Sequence, residues 1–581
     1  MTTRWLRDWD YRTAARDPLT WVFLVALGLR VVGIGWGLPG SDGWDEDGVA
    51  PRDFLAAVYQ TYDPGGDFYV YPPVHLVLLT LVHLPFLAYS LARAPSLEPR
   101  ALIDHMVQVE TMTPLAYGAR AVSVLCSLAT IWALARVAEL LAGRRAAHFT
   151  ALALALNATA TYYAHTTNLE SAYLCWASFA ALAFTRLFVL HDPRHLREAI
   201  ALATLAIGTK DQAYALFLVA VPCGAGLWLV TDPWPRRNVE ALARTLLVTA
   251  AVAFVALLVV DGALTNPIGF RKRLAFLLGT GSQDHAYYSN DWAGRWQLLR
   301  DAGSYVERYY PRAFLGPLAV GLGVAATWAM RDRRRLASLA FPLLIVVSTF
   351  VTFNFTARRT EHRFLLPQSL MLAVYIGLGL DALVGAIPAR ARRVGGALLV
   401  GPIAAWALFR CAAVDAEIVN DPRYAVERFL AEHVAAGDTI EVHGFNVYLP
   451  RFPEHSHVIR VDTRPLGSRS PLPGVEEVEQ HWSRIDERRP RWIVVSQAYA
   501  WRYLGTGAEG SGTGRVIAAG QRERERDEPA RRFFRGLYEG SIGYRTALVS
   551  RWEHALWPRF EFHSSTGQEV RVFERDTSDA H

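Results

Sequence analysis

Four acids, Asp42, Asp45, Glu46 and Asp47, fall within six residues directly after the first long apolar run. Carboxylates there can act as a general base, clamp a metal or pair with a cationic substrate. A solvated outer loop would also be acidic, because outer loops need no positive charge. A second group is cationic: Arg358, Arg359, His362 and Arg363 crowd the segment 355–363, just before another apolar run. Planar guanidinium forks suit phosphate oxygens, and the bland alternative is pairing with Glu361 or snorkelling to lipid headgroups. Lys210, in Gly208-Thr209-Lys210-Asp211-Gln212, is one of only two lysines, the other being Lys272. A compact ammonium in a chain that otherwise uses arginine suggests that its point charge is wanted there. Asn168 and Glu170 open an apolar run that carries no further charge until Arg186; helix capping alone would also account for Glu170. Acids together with cations fit a substrate whose phosphate is anchored in lipid and whose other group is transferred in water. The base would activate an acceptor hydroxyl or amine, and the cations would hold the leaving phosphate.

The elements that must position these groups are membrane helices. Of 581 residues, 52% are apolar, in many nearly uncharged runs of about twenty, the length of one bilayer crossing. The apolar runs predict spans at 18–38, 117–142, 146–165, 170–190, 197–209, 212–231, 240–262, 313–330, 336–354, 364–386 and 394–414. The first run contains Arg30 and ends without a small-residue cleavage site, so it is expected to be retained. The connections at Arg144-Arg145, Arg194 and Arg197, Arg236-Arg237, 331–335 and 390–393, and the N-terminal arginines, face the cytoplasm by the positive-inside rule. The acidic loop, 166–170, 209–212, 263–312 and 355–363 then face outward. The stretch 71–90, beginning Tyr71-Pro72-Pro73, would put Arg144-Arg145 outside if it crossed, so it is expected to lie along the outer interface. Loop 263–312 carries Arg271-Lys272-Arg273 and Gln283-Asp284-His285 and has the character of a lid.

From about 415 the composition becomes that of a soluble domain. Helical spacing over 421–433, the strand Thr439–His443, a helix over 475–487, the strand Trp492–Ser496 and a last strand at 569–574 predict a small α/β domain. The run 522–528 of alternating charge is read as a solvated face. The four cysteines, Cys126, Cys175, Cys223 and Cys411, are scattered in apolar runs and suggest packing. The net charge of +6 is dispersed between spans, which gives no basic patch for nucleic acid.

The order of Trp44-Asp45-Glu46, Tyr71-Pro72-Pro73, Gly118-Ala119-Arg120-Ala121-Val122-Ser123, Asn168-Leu169-Glu170, Thr209-Lys210 and Arg363-Phe364-Leu365-Leu366-Pro367 resembles the GT-C superfamily of membrane glycosyltransferases. The nearest branch is that of protein O-mannosyltransferases and lipid A aminoarabinose transferases, and the resemblance covers about 1–414. It implies inverting transfer from a polyprenyl-phosphate sugar on the extracytoplasmic side. By the same resemblance the acidic pair falls on Asp45 and Glu46 with Asp45 the base, the second acid on Glu170, and Lys210 near the donor phosphate; Glu46 is expected to support Asp45 or to help a divalent metal if one is used. Arg358, Arg359, His362 and Arg363 join that phosphate site, with Glu170, Asn168 and Tyr71 on the substrate. The chain departs from the aminoarabinose branch where Tyr71 replaces a lysine before the proline, and where Asp47-Gly48 follows the acidic pair.

The expectation is therefore a mainly α, polytopic protein of about eleven spans over 1–414, with outer loop 39–116, and an extracytoplasmic α/β domain over 415–581. It is a bacterial plasma-membrane glycosyltransferase with a cytoplasmic N-terminus, a polyprenyl-phosphate-sugar donor and a protein, lipid or glycan acceptor. The rival is a secondary transporter or flippase, which predicts ionisable residues at mid-membrane and related half-repeats.

Overall fold

The computed structural model describes residues 17–45, 47–279, 286–504, 527–553 and 566–576. Glu46, the N-terminal arginines, Gln283-Asp284-His285 and the 522–526 part of the charged run lie outside these described residues. The chain divides into two compact units. The first comprises Met1–Val32, Leu55–Leu81 and Arg120–Ala412; the second comprises Gly33–Phe54, Val82–Ala119 and Ala413–His581.

The first unit is helical because its apolar runs satisfy their backbone polar groups internally, the only open-chain solution in hydrocarbon. Among the described residues nine helices are long and apolar enough to cross a membrane, against the eleven expected. The first helix is only Pro18–Val31, opened by Asp17, whose carboxylate accepts from the Leu19 amide at 3.1 Å. It stops short of Leu38 because Gly33 and Gly37 take positive φ, 83° and 70°, which ends a helical run. The expected span 146–165 is two helices, Arg144–Ala155 and Ala158–Ala164, and Asn157 caps the second by accepting from the Ala160 amide at 2.9 Å. The stretch expected along the interface forms one helix, Val74–Arg93, interrupted by Pro85; its length and composition also suffice for a crossing.

Two features shape the region before Phe364. Helices Leu315–Arg331 and His362–Ala386 approach backbone to backbone at Gly321 and Gly379, where a Cβ would run into the carbonyls of Tyr375 and Pro317. Helix Leu336–Thr349 widens into one π-helical turn, Phe350–Asn354, and ends at Arg358 in a left-handed conformation with φ 54°. The buried Asn354 amide closes this corner by donating to the carbonyls of Arg359 at 3.0 Å and Phe364 at 3.2 Å.

The second unit holds a six-stranded sheet. Its strands are β1 Thr439–His443, β2 His457–Asp462, β3 Val475–Glu479, β4 Trp492–Ser496, β5 Tyr544–Ser550 and β6 Val570–Arg575, in the spatial order β3-β2-β1-β4-β6-β5. The first four run parallel, whereas β6 and β5 are antiparallel to their neighbours. The predicted helix over 475–487 is corrected: Val475–Glu479 is an edge strand paired with β2, and only Trp482–Arg488 is helical. Pairing along an exposed strand supplied what the local pattern of glutamates could not reveal. Helix Pro422–His433 starts on Asp421, as its spacing predicts, and packs Val426 and Leu430 against Ile440, Val442 and Val572.

Candidate functional site

In the first unit the segment from His165 to Glu170 is buried, and Glu170 stands in the first turn of helix Leu169–Leu190. The positive end of that helix favours a carboxylate there. Lys210 reaches it from an extended residue preceding the short helical turn Asp211–Ala213, and its ammonium pairs with Glu170 Oε1. Both side chains are almost fully buried, at 6% and 2% exposure, so each charge depends on the other. The ammonium also lies over the rings of Tyr173 at 5.3 Å and Phe364 at 6.0 Å.

Phe364 is the common floor of this cluster. The guanidinium of Arg359 sits 4.5 Å from its centre and that of Arg363 at 4.8 Å. Glu361 holds both arginines: Arg363 Nε donates to it at 2.9 Å and Arg359 Nη2 lies at 3.7 Å. The Phe364 ring therefore collects Lys210, Arg359 and Arg363, which the sequence places more than 140 residues apart at its extremes. His362 stacks on the buried Tyr163 at 6.1 Å, and its carbonyl accepts from the Tyr309 hydroxyl. The Arg358 guanidinium donates to the Tyr288 carbonyl at 2.9 Å, and the Arg358 carbonyl accepts from the Tyr287 amide at 3.0 Å.

The remaining predicted residues of this unit are near in backbone. The Val74 amide, just after Tyr71-Pro72-Pro73, donates to the Gly208 carbonyl at 2.9 Å, two residues before Lys210. Tyr71 itself is half-buried with its ring 6.0 Å from that of Tyr69. Asn168 is buried, and its backbone amide donates to Thr166 Oγ1 at 3.4 Å. Asp211 is clamped by Arg273, which donates to its two oxygens at 2.6 and 2.8 Å and meets Asp261 at 3.4 Å. Thus part of the basic run in loop 263–312 supports the Thr209–Gln212 motif. Tyr163 and Tyr173 have no signal in the sequence, and Phe364 stands there only as part of the Arg363–Pro367 motif, because aromatic residues in apolar runs look like ordinary packing. The buried Arg30 is structural: it donates to Ser127 Oγ at 2.8 Å and to the carbonyls of Ala26, Ala155 and Leu154.

The acidic motif belongs to the second unit. Trp44 and Asp45 are buried, and the loop closes with the Gly48 amide on the Asp45 carbonyl at 3.1 Å. The sheet domain grips this stretch along its length. Trp36 Nε1 donates to Asp421 at 3.0 Å, Arg451 to the Leu38 carbonyl at 2.8 Å, and Trp44 Nε1 to the Leu449 carbonyl at 2.9 Å. The buried Arg423 stacks over Trp44 at 4.0 Å and Trp36 at 5.4 Å while binding Asp421 with both arms of its fork.

Asp42, Asp45 and Asp53 repel one another with Arg52 among them. Burial pushes the Asp42 carboxyl above its ordinary range, opposed by a hydrogen bond from Asn446 and by Arg52. Asp53 keeps contact with solvent, yet the recess around it and then the charge of Asp42 push it up to about 6. The Asp42 and Asp53 carboxyls thus hold a proton more readily than free ones. Among the described residues no group of three or more histidines, cysteines or acids is arranged to hold a metal ion.

Residues 112–260 match the family model for dolichyl-phosphate-mannose-protein mannosyltransferase. No curated protein matches the chain in sequence. Among solved structures, apo ArnT from Cupriavidus metallidurans is similar at 16% identity and a TM-score of 0.51, over 86% of this chain and 95% of that one. The archaeal oligosaccharyltransferase AglB from Archaeoglobus fulgidus, in complex with an inhibitory peptide and a dolichol-phosphate, is similar at 12% identity and a TM-score of 0.50. That match covers 96% of this chain and 88% of AglB. At such identities the likeness is one of fold, and that fold is the GT-C fold expected from the motif order.

Proposed function

We propose, from the premise that this chain is a GT-C superfamily membrane glycosyltransferase, that it transfers a sugar from a polyprenyl-phosphate-linked donor to an acceptor on the extracytoplasmic face. The observation that carries the reading is the gathering of Lys210, Arg359 and Arg363 around one aromatic ring beside a buried carboxylate. Cations held on aromatic faces are partly desolvated, and a phosphate meeting them gains more than it would in water. The dolichol-phosphate bound to AglB, which shares the fold, supports a lipid phosphate as the anion.

In the proposed step Asp45 takes the proton from the acceptor hydroxyl or amine as that atom attacks the anomeric carbon. The bond between this carbon and the phosphate oxygen breaks, and its electron pair leaves with the phosphate. One displacement inverts the anomeric centre. Lys210, Arg359 and Arg363 stabilise the charge that develops on the leaving polyprenyl phosphate. Glu170 balances the Lys210 ammonium while the site is without donor. Arg358 supports the segment 286–288, and His362 and Tyr163 form one wall. Asn168 and Tyr71 contribute through the backbone of the turns that carry Glu170 and Lys210. The bacterial plasma membrane and a cytoplasmic N-terminus complete the reading.

The test is incubation of the purified protein with candidate polyprenyl-phosphate sugars and acceptors, with released polyprenyl phosphate measured by mass spectrometry. Asp45→Asn should abolish release while donor binding and folding persist. Normal turnover in that variant would remove Asp45 from the mechanism.

A further inference from the structure

The sheet domain begins some 400 residues after the acidic motif, yet Asn446 touches it directly. Asn446 lies just beyond β1, at the carboxyl end of the parallel strands and beside the point where the strand order turns from β1 to β4. Open parallel sheets bind what they recognise at that edge. Here the edge meets the loop of Asp42–Asp45.

The contact has a defined polarity. Arg460 is 2% exposed, pairs with Glu477 and donates one nitrogen to Asn446 Oδ1. A guanidinium only donates, so the amide oxygen must face it and the amide nitrogen must face away. That nitrogen donates to Asp42 Oδ2 at 2.8 Å and to the Ser470 carbonyl at 3.2 Å. The charged groups facing Asp42 are Arg52, Asp45 and Asp53. Without the amide, Asp42 would keep the Gly43 amide, at 3.2 Å, and Arg52 against two like charges. Arg52 is itself tied to the domain, through the Pro471 carbonyl at 2.6 Å.

We propose that Asn446 is a positioning residue for the transfer reaction: its amide, oriented by Arg460, anchors Asp42 and so sets the loop that presents Asp45. The proposal rests on the reading of Asp45 as the base, and it gives the soluble domain a share in the chemistry through that loop. Because the hydrogen bond orients the loop that carries the base, its loss is felt as a misplaced base and not as weaker capture of the donor.

The test is an exchange of partners. Asn446→Asp keeps the shape and the contact with Arg460 but sets two carboxylates against each other; kcat should fall about tenfold or more, with donor KM within about twofold. Asp42→Asn combined with Asn446→Asp restores one hydrogen bond with its direction reversed, and should recover most of the loss. Amide hydrogen exchange over 40–48 should quicken in the single variant and slow again in the double one. Wild-type kcat in Asn446→Asp, or a double variant no better than the single, would overturn the proposal. Should the single variant fail to fold, Asn446→Ala removes the donor without adding charge and is held to the same loss of kcat and faster exchange. If Asp45→Asn turns over normally, the base assignment fails, and exchange over 40–48 still decides whether Asn446 holds the loop.

Discussion

Glu170→Gln is the substitution that tests the cation site most directly. The change keeps shape and removes one charge from a pair whose side chains are 2% and 6% exposed. Removing one partner of a buried ion pair costs about 3–5 kcal/mol, because the other charge stays buried and uncompensated. Lys210 keeps the rings of Tyr173 and Phe364, at 5.3 and 6.0 Å, which together offset about 1 kcal/mol. A net loss of about 2–4 kcal/mol remains, seen as a drop of several degrees in the melting temperature of the detergent-solubilised protein. The same change removes a negative charge from beside the proposed phosphate site. Added polyprenyl phosphate should therefore raise the melting temperature of the variant more than that of the wild type, since binding to the folded state alone stabilises it by mass action. A variant that melts with the wild type and gains no more from the lipid phosphate would refute both the buried pair and the place of Lys210 in donor capture.

Arg363→Ala should weaken donor capture and lower kcat/KM for the donor about tenfold, the loss expected for one charge-assisted contact to a phosphate whose charge grows as it leaves. An unchanged donor affinity would make Arg363 a structural partner of Glu361. Asp53 titrates at about 6 in the folded chain against an ordinary 3.8, so the fold binds its proton more tightly than the unfolded chain does. Its contribution to stability therefore declines as pH rises from about 4 to about 6. The melting temperature of Asp53→Asn minus that of the wild type should grow across this window and level off above it; a difference flat with pH would contradict the crowding of Asp53 by Asp42 and Asp45.

Much of this protein could be read from local pattern. Long uncharged runs demand helices in lipid, so the membrane class follows from composition alone. Asp421 before an amphipathic run predicts helix Pro422–His433, and short runs rich in β-branched residues predict β1 and β4, because capping and propensity act within a dozen residues. Unusual charges also stood out locally: Lys210 is notable in an arginine-rich chain, and Arg359 and Arg363 crowd a short segment just before an apolar run. Other features depended on contacts between distant residues. Gly33 and Gly37 end the first helix early, and Val475–Glu479 becomes a strand only because β2 lies beside it. That Glu170 meets Lys210, that Phe364 gathers three cations, and that segments 33–54 and 82–119 belong with the sheet domain are matters of tertiary packing. Periodicity records which way a side chain faces, and composition records the medium it faces. The partner of each side chain is chosen only in the packing of the unit it belongs to.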